Sequence, residues 1–263
     1  MRQLTHFIIL ISTFTLVSCS VKESRDACPC RVGLDFLNLL PRACDEGEII
    51  STITDADGKT LWSKRIGTDT CVARREILLP KGIYTVTSLL TGGGMVCDTA
   101  QGLVALRRGA EADSLYGEAA TIDARGEEAE SVPLPLKQFA TFSIIFTQSV
   151  SELVTEVGIP SSHIRATDLS AVESPSSLIR TVSGTEVAFR LPRQCCEELS
   201  VAFSDDGGRH PVASVDLAPL LRRNGYEFNA RELSDITLIM DFLEGRASIE
   251  VEGWKESLII VTF

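Results

Sequence analysis

Apolar side chains recur at every second position through much of this 263-residue chain, in short runs broken by Gly, Pro, Asn and Asp. A period of two places alternate side chains on opposite faces of an extended backbone, whereas an amphipathic helix needs its apolar residues three and four apart. Ala140, Phe142, Ile144 and Phe146 share one face, with Thr141, Ser143 and Thr147 on the other. Val32, Leu34 and Phe36 alternate with Gly33, Asp35 and Leu37, and Ile236, Leu238, Met240 and Phe242 repeat the pattern near the end. Ile249 and Val251 answer them, and Leu258, Ile259, Ile260, Val261, Thr262 and Phe263 close the chain as a continuous apolar run. Such a pattern predicts an all-β fold.

Turn chemistry supports the strand reading. Residues 48–54 and 60–66 flank Asp55-Ala56-Asp57-Gly58-Lys59, whose residue types accept the left-handed backbone of a hairpin. Gly92-Gly93-Gly94 follows the strand pattern of residues 83–88 with no phosphate-loop sequence after it, and reads as a turn. Residues 105–131 have few strongly apolar positions and an acidic cluster at Glu127, Glu128 and Glu130, and read as loop with short strands. Pro133 and Pro135 then punctuate the chain, which places a boundary near residue 137. Two β-sandwich domains, 28–136 and 137–263, fit the spacing. Residues 215–223 (VDLAPLLRR), with an Asp near the start, Arg at the end and Asn224-Gly225 beyond, read as the best helix.

The N-terminus carries export information. Met1 and Arg2 precede the largely apolar run from Phe7 to Val17, which ends at Ser18-Cys19. That run is too short to span a bilayer and has the layout of a secretory signal. Leu16-Val17-Ser18-Cys19 resembles a bacterial lipobox, so residues 1–18 are expected to be a lipoprotein signal peptide, Cys19 the lipidated new N-terminus, and residues 19–27 a polar tether. Several acyl chains at one cysteine anchor a protein stably where a single chain does not.

Formal charge is -11, from 36 acidic and 25 basic residues. An acidic body disfavours nucleic acid as a partner. Beyond Cys19 lie Cys28, Cys30, Cys44, Cys71, Cys97, Cys195 and Cys196. In an exported chain these are candidates for disulfides of undetermined pairing or for unpaired thiols. Neither Cys28-Pro29-Cys30 nor Cys195-Cys196 has zinc-ligand spacing, and no metal or cofactor is implied. Asp55-Ala56-Asp57-Gly58 matches a fragment of a calcium loop but lacks its later ligands. No nucleophile elbow or paired-His motif is present, and nothing in the sequence calls for an enzyme or a catalytic residue.

Cys28-Pro-Cys-Arg leading to Leu34-Asp-Phe36 behind a lipobox is similar to FimB-type minor fimbrial anchor proteins of Bacteroidales bacteria. So are Gly82-Ile-Tyr-Thr-Val86, Asp113-Ser-Leu-Tyr-Gly117, Asp216-Leu217 through Asn224-Gly225, and Ile249-Glu-Val-Glu-Gly-Trp254, in that order. The resemblance implies tandem transthyretin-like (Greek-key) β-sandwiches, lipid attachment to the outer membrane, and partnership with fimbrial shaft or accessory subunits. In such assemblies an extended strand of one subunit enters a sheet of its neighbour, a β-strand addition. Leu258, Ile259, Ile260, Val261 and Phe263 are then the candidate exchanged strand, or else an edge strand of their own domain. The alternative function is a cell-surface lipoprotein that binds a carbohydrate or host ligand. If Cys19 carries the anchor, Cys19→Ala should move the folded protein from the membrane fraction to the soluble fraction. A variant that still sediments with membranes would refute the lipid assignment.

Overall fold

The computed structural model describes residues 28–43, 47–70, 73–98, 101–251 and 257–260. The first half runs β1 (Cys30–Asp35), β2 (Glu48–Thr54), β3 (Thr60–Gly67), β4 (Arg74–Leu79) and β5 (Ile83–Thr91). It continues through β6 (Met95–Asp98), β7 (Leu103–Leu106), β8 (Tyr116–Asp123) and β9 (Glu128–Ser131). The second half opens on the long β10 (Phe139–Ile159), then β11 (His163–Arg165), β12 (Ala171–Val172) and the long β13 (Ser176–Pro192). After β14 (Ser200–Asp205) and β15 (His210–Asp216) comes the short helix α1 (Ala218–Arg223). β16 (Ile236–Asp241), β17 (Arg246–Val251) and β18 (Ser257–Ile260) follow. The fold is all-β, as the alternation predicts.

The sheet β3-β2-β5-β8 is covered on both faces over its central strands. On one side, Ile49, Ile53, Tyr84, Val86 and Leu90 pack with Val32, Leu34 and Phe36, under the sheet β4-β1-β9. On the other, Ile50 and Leu89 pack with Met95, Cys97, Val104 and Ile164, under the sheet β12-β11-β7-β6. The adjacent pairs Ile49-Ile50 and Leu89-Leu90 are the sequence trace of this double burial, since neighbouring strand residues face opposite ways. Buried hydroxyls within the layer find partners. Ser51 and Ser88 share a hydrogen bond of 3.0 Å, and Thr52 Oγ1 donates to the Ala166 carbonyl at 3.0 Å.

The partner of Thr52 lies beyond residue 137. Thr87 Oγ1 likewise donates to the Thr167 carbonyl, and β11 pairs antiparallel with β7. The chain therefore crosses to the second half at Gln138, then sends residues 163–172 back to cover the first. Asp235 secures the crossing by accepting from Lys137 Nζ and from the Thr141 amide, both at 2.6 Å.

The second half is organised on β10, which pairs with β13 along nearly its whole length. Across its other edge the start of β10 runs parallel to β16 and its end antiparallel to β14. The resulting seven-stranded sheet has the order β15-β14-β10-β16-β17-β18, with β13 also on β10. Phe142, Ile144, Phe189, Val201, Phe203, Ile236, Leu238 and Ile249 are all buried in its core.

Three local expectations change. The helix begins at Ala218 rather than Val215, because Val215 pairs with Val201 in the sheet, and the Asp216 carboxylate caps the turn by accepting from the Ala218 amide at 3.0 Å. Residues 116–123 form a strand of eight residues where loop with short strands was expected. β8 lies at a sheet edge with Tyr116 and Ile122 as its only large apolar residues, and Gly117 is there because a Cβ would collide with the Ser88 carbonyl oxygen. The acidic cluster is itself the edge strand β9, in which Glu128 and Glu130 face Arg31 and Arg74 across β1. The Asp55 segment is a turn whose carboxylate accepts from the amides of Asp57 and Lys59 at 3.1 and 2.9 Å.

Phe142 is fully buried at the centre of β10. Phe142→Ala should destabilise the protein by about 3–5 kcal/mol, lowering Tm by about 2–4 °C per kcal/mol. Ile179→Ala, at a side chain 61% exposed, should change stability by less than about 0.5 kcal/mol. Calorimetric melting of both variants checks the assignment of the core.

Candidate assembly edge and junction cavity

A strand at a sheet edge offers unpaired backbone donors and acceptors, and proteins normally blunt that edge with charge, Pro or a bulge. Most edges here are blunted. β15 carries Pro211 and a register shift opposite Phe203 and Ser204. β3 carries Lys64 and Arg65, the latter ion-paired to Glu48 at 2.5 Å. β13 carries Arg180, Glu186 and Arg190, and the backbone of Arg190 is hydrogen-bonded to residues 111–112.

β18 differs. Its residues Ser257, Leu258, Ile259 and Ile260 include no charge and no Pro. Its register with β17 is unbroken, running from Arg246↔Ile260 to Ile249↔Ser257. Only these four pairs hold it, and it has no second strand neighbour among the described residues. Beneath it, β17 is well founded: Ala247, Ile249 and Val251 are buried while Glu250 is exposed. The arrangement is a complete sheet ending in one short, apolar strand. That strand is the candidate for exchange, and in this structure it is seated on its own sheet. Val261 and Phe263 of the candidate strand lie outside the described residues, as do Cys19, Cys44 and Cys71.

Cys28, Cys30, Cys97, Cys195 and Cys196 are free thiols, so the bridges entertained from sequence do not form among the described cysteines. Cys30 and Cys97 are buried in different core clusters, where a thiol serves as a small apolar side chain. Burial pushes both thiols up in pKa, which makes them poor nucleophiles. Cys195 and Cys196 sit near the surface with their sulfurs 3.9 Å apart. Among the described residues no group of His, Cys, Asp and Glu could hold a metal ion.

A second feature has no signature in the sequence. Where the β10–β13 ladder ends at Phe139↔Pro192, the next residue on each strand turns inward to its partner. Arg193 Nε and Nη2 donate to Gln138 Oε1 at 3.2 and 2.6 Å, and Nη1 donates to the Phe228 carbonyl at 2.9 Å. Gln138 in turn donates to the Gly117 carbonyl at 2.9 Å, tying β8 to the crossing. Burial pulls the Arg193 pKa below the ordinary guanidinium value. The same surroundings push the Tyr226 phenol up, burial first and Asp235 second. Beside Arg193 opens a cavity of about 420 Å³, walled by β8, the crossing segment, residues 168–171 and residues 228–231. Nothing in Leu191-Pro-Arg-Gln194 marks that Arg as buried, because its partners are remote in sequence.

Comparison with known proteins places the fold. No family model matches the sequence, and no curated protein sequence matches it. Solved structures do match. The fimbrial anchor protein Mfa2 of Porphyromonas gingivalis aligns with 89% of this chain and 100% of its own, at TM-score 0.53 and 14% identity. A candidate polysaccharide-binding protein of Bacteroides thetaiotaomicron aligns over 88% of this chain and 98% of its own, at TM-score 0.54 and 14% identity. A candidate adhesin of Bacteroides ovatus aligns over 91% and 97%, at TM-score 0.52 and 15% identity. At these identities the likeness establishes a shared fold that extends over nearly the whole of each chain.

If β18 is a detachable edge, removing residues 257–263 should leave a folded protein with Tm lowered by a few degrees, since four strand pairs are lost and the core strands remain. A synthetic peptide of residues 257–263 added back should restore the melting temperature. Complete loss of the folded state on truncation would show the strand to be integral to its domain.

Proposed function

We propose that this chain is an outer-membrane lipoprotein of a fimbria, acting as an anchor or accessory subunit that tethers the filament to the cell surface. The observation that carries the reading is the terminal strand β18, an apolar edge strand without charge or Pro on a sheet whose other edges carry them. A fold shared with a fimbrial anchor protein supports it. The lipobox at Cys19 supplies the membrane attachment, and the polar residues 20–27 supply reach.

The mechanism is β-strand addition. Backbone hydrogen bonds along the sheet edge supply affinity without sequence preference, and alternating side chains that enter pockets on one face supply register. Either β18 pairs outward with a strand of the partner subunit, or it lifts from β17 and the partner strand replaces it. In the second route the strand β17, with Ala247, Ile249 and Val251 buried, is the template. A shaft or accessory subunit is thereby joined to a protein held at the membrane, and filament length responds to the supply of such anchors. The role is structural, and no catalytic residue is assigned.

Deleting the gene and imaging the cells tests the proposal. Filaments should appear in the medium or change in length. Restoring the gene without residues 257–263 should fail to reattach them, although the truncated protein still reaches the membrane. Attached filaments of unchanged length in the deletion strain would overturn the anchor reading.

A further inference from the structure

Arg193 stands out among the cations of this chain. It is only 8% exposed. No carboxylate among the described residues lies within ion-pair distance of it, whereas Arg180, Arg190 and Arg231 all have acidic partners. A buried guanidinium without a counter-charge is costly, because the charge has left water and gained no opposite charge in return. Its hydrogen bonds compensate only in part. A guanidinium has five N–H donors, and the bonds to Gln138 and Phe228 occupy one each on Nε, Nη1 and Nη2. One N–H on each of Nη1 and Nη2 is left without a described partner.

Those atoms belong to a residue that lines the junction cavity, whose volume of about 420 Å³ is in the range of small-molecule sites. The other walls have a mixed character. Leu169 and Phe228 are apolar, and Asp168, Ser170 and Asn229 bring acceptors and donors. Glu118, another wall residue, is already paired with Arg231. One unneutralised cation among hydroxyl-binding groups selects a single negative charge. A dianion such as phosphate would meet the carboxylates of Asp168 and Glu118 with only one uncommitted cation to hold it.

We propose that this cavity binds a hydroxylated monocarboxylate of the hexuronate type, with its carboxylate on Arg193 and its hydroxyls on Asp168, Ser170 and Asn229. The apolar walls at Leu169 and Phe228 take the C–H face of the sugar ring. Because the walls come from both halves of the chain, a bound uronate stabilises the junction, and its binding raises the melting temperature in proportion to occupancy.

The test uses the full chain with D-glucuronate and D-galacturonate as probes, and D-glucose and D-galactose as neutral controls, read by calorimetry and by ligand-observed NMR. At least one uronate should bind with a Kd of about 1 mM or tighter, and the neutral sugars about tenfold or more weaker. Arg193→Gln should weaken the uronate about tenfold or more. Since Arg193 also braces Gln138 and Phe228, a second variant acts without touching it. Ala119→Trp, at an exposed position on β8 that lines the cavity, should abolish binding while the melting temperature of the unliganded protein stays the same. No uronate binding up to about 10 mM, equal affinity for the neutral sugars, or wild-type affinity in Ala119→Trp would each overturn the proposal.

Discussion

The antiparallel ladder between β10 and β13 is the interaction on which the rest of the molecule depends. It runs from Phe139↔Pro192 to Ile159↔Ser176, with irregular register only between Ile145 and Leu153. β10 has neighbours on both edges, so its buried face anchors strands that would otherwise be isolated short segments. On the edge opposite β13, β14 and β15 extend the sheet from the end of β10, and β16, β17 and β18 extend it from the start. Backbone hydrogen bonds in such a ladder each contribute modestly, yet they pair backbone groups that would be costly to bury unpaired, which is the larger constraint. At one end of the ladder the pairing passes from backbone to side chains, through Gln138 and Arg193, and there the two halves of the chain meet.

The two halves are not simple beads on a string. Residues 163–172 leave the second half and cover the outer face of the sheet that contains β2 and β5, fixed by the threonine hydroxyls of that sheet. A filament anchor carries load between a membrane tether and a partner, and a junction closed by a shared core and crossed by hydrogen bonds transmits force better than a free linker. The position of β18 agrees with that use. It is the last strand of the seven-stranded sheet, whereas β1, the first described strand, belongs to the sheet β4-β1-β9.

Edges and charges are handled by the same economy. Where the sheets end without a use, the chain places Lys64, Arg65, Pro211 or a covering loop. Where it ends in β18, the described strand residues carry neither charge nor Pro. Likewise Arg65, Arg125, Arg180, Arg190 and Arg231 are paired with acids, but Arg193 is buried and lacks one among the described residues. These two departures are the sites proposed for assembly and for ligand.

Several elements were readable from residues alone. Period-two alternation marked β1, the β2–β3 hairpin, the start of β10, β16 and β17, because half-buried strands must alternate. The apolar end of the chain marked the terminal strand. Weakly apolar strands were not readable: β8 and β9 form because β5 and β1 offer them open edges, and a strand recruited that way needs little hydrophobic signal of its own. The helix start was misplaced for a related reason, since Val215 is claimed by β14 before the helix can use it. What the sequence determined by itself was the all-β class and the apolar strand near the end. Only the tertiary structure decided that the halves share a core, that β18 is the last strand of its sheet, and that Arg193 lies buried without a counter-charge among the described residues. These are relations between residues distant in the chain, and local periodicity carries no record of distant partners.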